Sequence, residues 1–268
     1  MIRAVITGVA GRMGRTVARM VRDQNDMKVA GGTEKKGAAA IGLDVGTVAG
    51  IGTLDIPVTD DLGRALERGQ GQLVIDFTSA ESSLEHARIG AERGVPLVIG
   101  STGFSPEAKA EVARLANKVA IVMSPNMSVG VNLMINVARE LAQVLGESFD
   151  VEILEAHHRM KKDAPSGTAL RLADEVAAVL KRSPSDFLMA RQGQIGERAP
   201  EEIGIQALRG GDVVGEHTVF FFGEGERVEL THRATSRDQF AKGALRAGRW
   251  VIGRPPGLYS MNDVLGLG

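Results

Sequence analysis

Cysteine is absent from this chain of 268 residues. Its absence excludes disulfides, thiolate catalysis and cysteine-ligated metal sites, and it fits a reducing compartment. No apolar run approaches the roughly 20 residues that a membrane-spanning helix needs, and the N-terminal sequence enters a strand pattern without the layout of a signal peptide. The net charge is only −1 at pH 7, so no overall field favours nucleic acid or a membrane surface. We therefore expect a cytoplasmic globular protein with neither kind of partner.

Aromatic residues are also few, at 4% of the chain, whereas glycine is abundant, with 34 residues. The glycines are scattered between apolar segments and do not form a low-complexity tract. This distribution is typical of an α/β protein with many tight turns and close helix–strand contacts. The length is sufficient for two modest domains.

A glycine loop follows the first predicted strand, Ile2 to Thr7. Its glycines fall at Gly8, Gly11 and Gly14, and a helical pattern follows. The spacing is a variant of the usual dinucleotide fingerprint, in which glycines let the backbone approach a pyrophosphate at a helix N-terminus. Glu34 lies 20 residues beyond Gly14, where an acidic residue typically bonds the adenosine ribose. Lys35 and Lys36 follow and can accept a 2′-phosphate, so the pattern leaves NADH and NADPH open.

Strand and helix patterns then alternate up to residue 127, which predicts a Rossmann-type, doubly wound parallel sheet. Residues 37–59 are aperiodic, and we expect a loop or short excursions of the chain there. Polar turns end three of the strands, at Asp76–Thr78, Gly100–Thr102 and Ser124–Met127. Such turns face the ligand crevice of a doubly wound sheet.

From residue 128 the pattern changes to long helices and a second set of strands. We expect a second α+β domain over 128–238 with a mixed or antiparallel sheet. Residues 183–202 read as a polar loop within it. The dinucleotide-binding domain then comprises 1–127, with 239–268 returning to it.

The densest group of ionisable residues lies between Glu155 and Ala169. It contains adjacent histidines, His157 and His158, then Lys161, and a small-residue helix entry from Ser166 to Ala169. Ser166 is a suitable N-cap, and the amides of Gly167 and Thr168 would face an anion at the helix N-terminus. Histidine can move protons near neutral pH. The stretch predicts a small-polyanion site with proton-transfer groups, although a solvated basic loop before an ordinary helix is equally consistent with this stretch alone.

Two other functions are consistent with parts of this pattern. A non-catalytic nucleotide sensor would keep the glycine loop and Glu34 without needing the 155–169 stretch. Another nicotinamide-dependent reductase, such as an amino-acid dehydrogenase, would pair the same first domain with a different pocket. Adjacent strand residues point to opposite faces, so the two histidines do not suggest a shared metal, and we predict none. His86, His217 and His232 are isolated in the sequence and are interpreted as surface or satisfied core residues.

Taken together, these motifs resemble the 4-hydroxy-tetrahydrodipicolinate reductase (dihydrodipicolinate reductase) family of diaminopimelate and lysine biosynthesis. The resemblance spans essentially the whole chain and is most specific over Glu155–Thr168. It implies that His157 is a proton donor and acceptor and Lys161 a proton donor. It further implies substrate binding by His158, Lys161, Gly167 and Thr168. The cofactor, NADH or NADPH, would be held by Gly8, Val9, Ala10, Gly11, Arg12, Met13, Glu34, Lys35, Gly100, Ser101, Thr102, Ser124, Pro125, Asn126 and Met127.

The reaction that the resemblance implies is chemically consistent with these residues. The substrate is a cyclic imine with two carboxylates; it accepts a hydride and a proton, and water is lost from its 4-hydroxy form. Members of the family are commonly homotetramers, and we expect the second domain's sheet to supply the oligomer surface. The two-part layout also predicts domain closure around the ligands.

Overall fold

The computed structural model describes residues 1–267. The chain forms two compact units, one made of Met1–Val129 with the segment from Asp238 onward, and the other of Gly130–Arg237. The assignment of cofactor binding to the first unit and substrate binding to the second stays a prediction.

Strands and helices alternate through most of the chain. The strands are β1 (Ile2–Thr7), β2 (Met27–Thr33), β3 (Leu73–Asp76), β4 (Leu97–Ile99), β5 (Ala120–Met123), β6 (Asp150–His157), β7 (Phe187–Leu188), β8 (Ile203–Arg209), β9 (Gly215–Phe222), β10 (Arg227–Ala234) and β11 (Gly257–Tyr259). The α-helices are α1 (Arg12–Arg22), α2 (Val45–Ala49), α3 (Leu62–Gly69), α4 (Ala80–Arg93), α5 (Pro106–Leu115), α6 (Val129–Leu145), α7 (Gly167–Leu180), α8 (Asp238–Val251) and α9 (Met261–Leu265). Short 3₁₀ turns span Gly146–Ser148 and Pro184–Asp186.

The first unit is built on a six-stranded sheet in the order β11-β5-β4-β3-β1-β2, with every pairing parallel. Strands β3 and β4 are buried along their whole length, as expected where helices cover both faces of a sheet. One face packs against α1 and α8, and the other packs against α3, α4 and α5. The doubly wound parallel sheet is therefore confirmed.

Strand β1 lies between β2 and β3, although β2 follows it in the chain and β3 comes later. The chain therefore passes from β1 to β2 on one side and then crosses back to β3 on the other side of β1. Ligands of doubly wound proteins bind outside the carboxyl ends of the strands at such a switch point. This places the segment after β1, which contains the glycine loop, where a cofactor would be expected.

The second unit contains a five-stranded sheet in the order β10-β9-β6-β8-β7. The β6–β9 and β9–β10 pairings are antiparallel, whereas β6–β8 and β7–β8 are parallel. Helices α6 and α7 cover one face with an apolar core. The expected mixed sheet is confirmed, with β6 between β8 and β9, which are consecutive in the chain.

Two segments contain short elements that the sequence pattern does not resolve. The region 37–59 contains the short helix α2, which Asp44 caps by accepting from the Thr47 amide, and five residues are too few to show a helical period. The region 183–202 contains a 3₁₀ turn and the two-residue strand β7. Within residues 1–267, no helix is both long and apolar enough to cross a membrane.

Candidate active site

The glycine loop is shaped by close contacts between its own residues. Gly8 adopts a φ of +62°, and the Gly11 amide donates to the Gly8 carbonyl at 2.9 Å. A Cβ on Gly14 would lie 2.8 Å from the Val9 Cα, so a side chain cannot be accommodated there. Helix α1 begins at Arg12 without a side-chain cap. The first-turn amides are then available to an anion.

A cavity of about 520 Å³ opens beside this loop in the first unit. This volume is suited to a cofactor-sized ligand. The cavity is lined by Gly8, Ala10, Gly11, Thr33, Glu34, Lys35, Asp60, Phe77, Thr78, Ser79, Ser82 and His86. The structure thus brings together five of the predicted cofactor residues: Gly8, Ala10, Gly11, Glu34 and Lys35.

Glu34 follows the end of β2 and is tied to the glycine loop. Its Oε1 accepts from the Ala10 amide at 2.7 Å. The carboxylate therefore lies beside the loop that would hold the pyrophosphate, as a ribose-binding acid requires. Lys35 is exposed at the same cavity.

The other predicted cofactor residues lie outside the cavity lining. Val9 is buried in the core, and Arg12 and Met13 open helix α1. Gly100 follows β4, and its amide donates to the Asp76 carbonyl at 2.8 Å. Ser101 is buried and accepts from Ser83 Oγ at 2.7 Å, whereas Thr102 is exposed.

The turn after β5 is held by its own side chains. Ser124 Oγ donates to the Asn126 carbonyl at 2.9 Å, and Asn126 Oδ1 accepts from the Ser128 amide at 2.9 Å. Pro125 is exposed and Met127 is buried. The turn is therefore ordered next to the carboxyl edge of the sheet, where the resemblance places the nicotinamide.

Sequence reasoning assigned no role to His86, yet its side chain lines the cavity. Its Nδ1 lies 2.6 Å from Asp76 Oδ2, and Asp76 also accepts from the Thr78 amide and hydroxyl. Burial raises the pKa of Asp76, but its hydrogen bonds to His86 and Thr78 outweigh burial, so the pKa is lowered overall. Asp76 is thus an anion that fixes the turn after β3.

In the second unit, the sheet face that packs against α6 and α7 changes character along the strands; we term it the inner face. Ile153 pairs with Val219 in the apolar part. Two residues further along β6, Glu155 pairs with His217, which in turn pairs with His232. Strand periodicity of two therefore brings polar residues of three strands together on one face.

Glu155 is the centre of this polar region and has no exposed side-chain surface. Its Oε2 lies 2.7 Å from His157 Nδ1 and 2.7 Å from Arg209 Nη1. Its Oε1 accepts from Arg209 Nη2 at 2.8 Å and from the Ser166 amide at 2.9 Å. Burial raises the pKa of Glu155, and hydrogen bonds from Arg209, His157 and Ser166 more than offset it, so the carboxylate is ionised.

His157 lies at the end of β6 with 12% of its side chain exposed. Burial lowers its pKa; Glu155 raises it in part, and the charges of Lys161 and Arg209 lower it further. A Cβ on Gly215 would lie 3.0 Å from His157 Nε2, so the imidazole occupies space that only a glycine leaves. The ring meets that of His217 edge-on, with centroids 5.3 Å apart.

The loop after β6 carries Lys161. Its Nζ donates to both carboxylate oxygens of Asp163, at 2.9 and 2.8 Å. Arg209 Nη2 donates to the Asp163 carbonyl at 2.7 Å. This arginine therefore binds both the Glu155 carboxylate and the loop that carries Lys161. His158 Nε2 lies 3.4 Å from Arg237 Nη2.

Helix α7 begins as predicted, with Ser166 as its N-cap. Ser166 Oγ accepts from the Ala169 amide at 3.2 Å and lies 3.1 Å from His217 Nε2. Gly167 is exposed, with open space where a Cβ would be. The first turn of α7 therefore presents Gly167 and Thr168 beside the His157 network.

Sequence reasoning missed Arg209 and His217. Both lie more than 50 residues from Glu155 in the chain, and only the β6–β8 and β6–β9 pairings bring them close. His217 is buried, which agrees with its interpretation as a core residue, and strand pairing places it between Ser166 and His157. Burial lowers its pKa to about 4, so it is neutral. Among residues 1–267, no cluster of three or more His, Asp or Glu side chains is arranged to hold a metal.

Comparison with known proteins identifies the family. Models described as the N-terminus and the C-terminus of dihydrodipicolinate reductase match residues 2–127 and 130–265. The chain is 63% identical to the 4-hydroxy-tetrahydrodipicolinate reductase of Myxococcus xanthus over 99% of this chain and 98% of that protein. It is 58% identical to the Anaeromyxobacter dehalogenans (strain 2CP-1) protein of the same name over 100% of this chain and 98% of that protein.

Solved structures are similar across the whole fold. A dipicolinate-bound dihydrodipicolinate reductase from Paenisporosarcina sp. TG-14 is 27% identical, has a TM-score of 0.78 and covers 98% of each chain. An amine dehydrogenase from Mycobacterium smegmatis, with 19% identity and a TM-score of 0.61 over 97% of this chain and 95% of its own, shares the fold alone. Because the two family models together match nearly the whole chain, the protein belongs to the dihydrodipicolinate reductase family.

Proposed function

We propose that this protein reduces 4-hydroxy-tetrahydrodipicolinate to tetrahydrodipicolinate, with loss of water and oxidation of NADH or NADPH, in diaminopimelate and lysine biosynthesis. The observation that carries the proposal is the grouping of His157, Lys161 and the start of α7 around Glu155 in a chain of this family. A nucleotide sensor would have no need for that grouping.

The second unit supplies the groups that hold and protonate the substrate. Lys161 and the first-turn amides at Gly167 and Thr168 offer donors to the two carboxylates. His158, beside Arg237, adds a further donor on the same loop. His157 is assigned the proton transfer, since its ring is partly exposed and its pKa is set by burial, by Glu155 and by the nearby cations.

The first unit supplies the cofactor site. When bound, the reduced nicotinamide supplies the hydride. The glycine loop would hold the pyrophosphate, Glu34 the adenosine ribose, and Lys35 a 2′-phosphate where one is present. The turns at Gly100–Thr102 and Ser124–Met127 are assigned to the nicotinamide side. Both cofactors remain in the proposal, because an acid and a cation border the same cavity.

We further propose a homotetramer assembled through the sheet face opposite α6 and α7, here termed the outer face. Leu154, Leu208, Phe220 and Phe222 lie on it; Leu208 is 54% and Phe222 36% exposed. The Phe220 and Phe222 rings stack at 5.5 Å. Apolar and aromatic side chains exposed together are typical of a protein–protein interface.

A coupled assay tests the enzymatic proposal. The preceding synthase would condense pyruvate with aspartate semialdehyde, and oxidation of NADH and of NADPH would be followed by absorbance in parallel reactions. We expect oxidation that depends on the condensed substrate, and its rate with each cofactor gives the preference. Cofactor binding without any oxidation would contradict the proposal and favour a sensor or another imine or keto-acid substrate.

A further inference from the structure

We propose that Glu155 is a positioning residue that acts on both parts of the substrate site at once: it orients His157 for proton transfer and fixes the start of α7 for binding a carboxylate. Its two oxygens are divided between these tasks. Oε2 faces His157 Nδ1, and Oε1 faces the Ser166 amide. The inference rests on the proposed function, which it deepens.

The first task concerns the tautomer of His157. An ionised carboxylate only accepts hydrogen bonds, so the 2.7 Å contact requires a hydrogen on Nδ1. In the neutral ring, Nε2 is then the nitrogen without a proton. A proton gained or lost by His157 must therefore pass through Nε2, the atom that faces Gly215. Glu155 both selects the reactive nitrogen and stabilises the charged ring.

The second task concerns the anion site. The Ser166 amide is the N-cap amide of α7, and Glu155 holds it at 2.9 Å. The next amides, of Gly167 and Thr168, belong to the same turn and move with it. One buried carboxylate therefore fixes the distance between a proton-transfer ring and the helix end that would bind a substrate carboxylate. Misplacement by about 1 Å can cost a hundredfold in rate.

Arg209 allows this carboxylate to remain charged while buried. It contacts both oxygens of Glu155 and also the Asp163 carbonyl of the Lys161 loop. The charged or titratable groups that face His157 are Glu155 on β6, Lys161 on the loop, Arg209 on β8 and His217 on β9. Of these only Glu155 is negative. Removing its charge would leave the ring among cations.

The test compares Glu155→Gln with Glu152→Gln. Glu152 is a matched control, since it lies on the same strand and also pairs with both terminal nitrogens of an arginine, Arg191, at 2.7 Å. Its side chain contacts no histidine among the hydrogen bonds of residues 1–267. For each variant, kcat/KM would be measured against pH, with NADH affinity and the affinity for dipicolinate as an unreactive dicarboxylate probe.

We expect Glu155→Gln to lower kcat/KM roughly a hundredfold and to move the alkaline decline of its pH profile by about one unit toward lower pH. The sign follows because the protonated His157 loses its stabilising anion, so its pKa falls. Dipicolinate should bind roughly tenfold more weakly at unchanged NADH affinity, since the start of α7 loses its anchor. Glu152→Gln should retain the wild-type profile.

Equal losses in the two variants with an unshifted pH profile would mean a purely structural role and would overturn the inference. If Glu155→Gln does not fold, a measurement on the wild-type protein still tests the inference. Nitrogen NMR of its labelled histidines, with His157→Asn for assignment, must show a proton on Nδ1 of neutral His157. A proton on Nε2 would contradict the inference. A wild-type protein that binds dipicolinate but never oxidises the cofactor would instead contradict the proposed function.

Discussion

Two cations of the second unit have different partners, and this difference suits different roles. Arg209 pairs with Glu155, whose side chain is fully buried, whereas Lys161 pairs with Asp163, whose side chain is 63% exposed. Exposed ion pairs contribute about 0–1 kcal/mol, so a substrate carboxylate can replace Asp163 at little cost. Removing one partner of a buried pair costs several times more. Lys161 is therefore suited to bind substrate, and Arg209 to hold the network in place.

Replacement of Lys161 tests this distinction. We expect Lys161→Ala to lower kcat/KM by roughly a hundredfold or more, because the substrate loses a charged donor, while NADH affinity and thermal stability stay near wild type. Steady-state kinetics and fluorescence titration with NADH measure the two effects. Lys162→Ala, at the exposed neighbouring position, is the control and should retain activity. A large loss of NADH affinity in Lys161→Ala would refute the assignment of the two sites to separate units.

At the scale of elements, the start of α7 combines a structural and a functional task. Ser166 and Ser105 each cap a helix by accepting from an amide at 3.2 Å. Only Ser166 also contacts His217 and, through its amide, Glu155. The two serines therefore separate the effect of a lost cap from the effect on the site.

We expect Ser166→Ala and Ser105→Ala each to lower the free energy of unfolding by about 1 kcal/mol, the usual cost of an N-cap. Only Ser166→Ala should also weaken dipicolinate binding, because the amides of the first turn of α7 become less ordered. Urea unfolding and calorimetric titration provide the two measurements. Equal dipicolinate affinity in both variants would mean that the α7 N-terminus does not bind the carboxylate.

Much of this element structure could be predicted, because the signals are local. The apolar period of α7, the Ser166 cap and the glycine loop all lie within a few neighbouring residues. The His157–Glu155 contact also spans only two residues, but its significance depends on burial that strand pairing creates. Arg209 and His217 could not be located, since a change of strand order would have moved both away from Glu155. Elements of two to five residues, such as β7 and α2, are too short to show a period.

The inner face also makes stability depend on pH. The pKa of His217 is lowered from 6.5 to about 4 by burial. Between these values the unfolded chain binds a proton that the folded chain does not, so stability is lost as the pH falls from 6.5 to about 4. The loss amounts to about 3 kcal/mol for this group. The pKa values of His157 and His232 are also lowered, and these residues act in the same direction.

His217→Gln should therefore reduce the pH dependence of unfolding in the second unit. We expect its β6 and β9 amides to exchange with solvent deuterium faster than wild type at neutral pH, with a smaller further increase on acidification. Mass spectrometry of these strands measures the effect. Trp250, the one tryptophan of the chain, lies in the first unit. Its fluorescence therefore reports the folding of the first unit, which the substitution should leave unchanged. If the exchange rates of the variant rise on acidification as steeply as those of the wild type, His217 is already protonated in the folded protein over this pH range.

At the scale of the whole molecule, the sequence predicts which sheet face would form a subunit interface, but it does not show that the protein forms an oligomer. Strand periodicity separates residues that face α6 and α7 from those that face away, and the second group contains apolar side chains. Leu208 on β8 is paired with Ala156 on β6, the central strand of the sheet. A monomer gains nothing from an apolar residue exposed there, whereas an oligomer would bury it.

Leu208→Glu should therefore dissociate the assembly. Burying a leucine contributes about 1.5–3 kcal/mol, and placing a carboxylate in an interface adds a desolvation cost, so we expect the subunit dissociation constant to rise at least tenfold. Light scattering coupled to size-exclusion chromatography over a range of protein concentrations measures the mass. Val144→Glu is the matched control, because Val144 is 82% exposed on α6, which packs against the inner face. If both variants keep the wild-type mass, or the wild-type protein is monomeric, the outer face is not the interface.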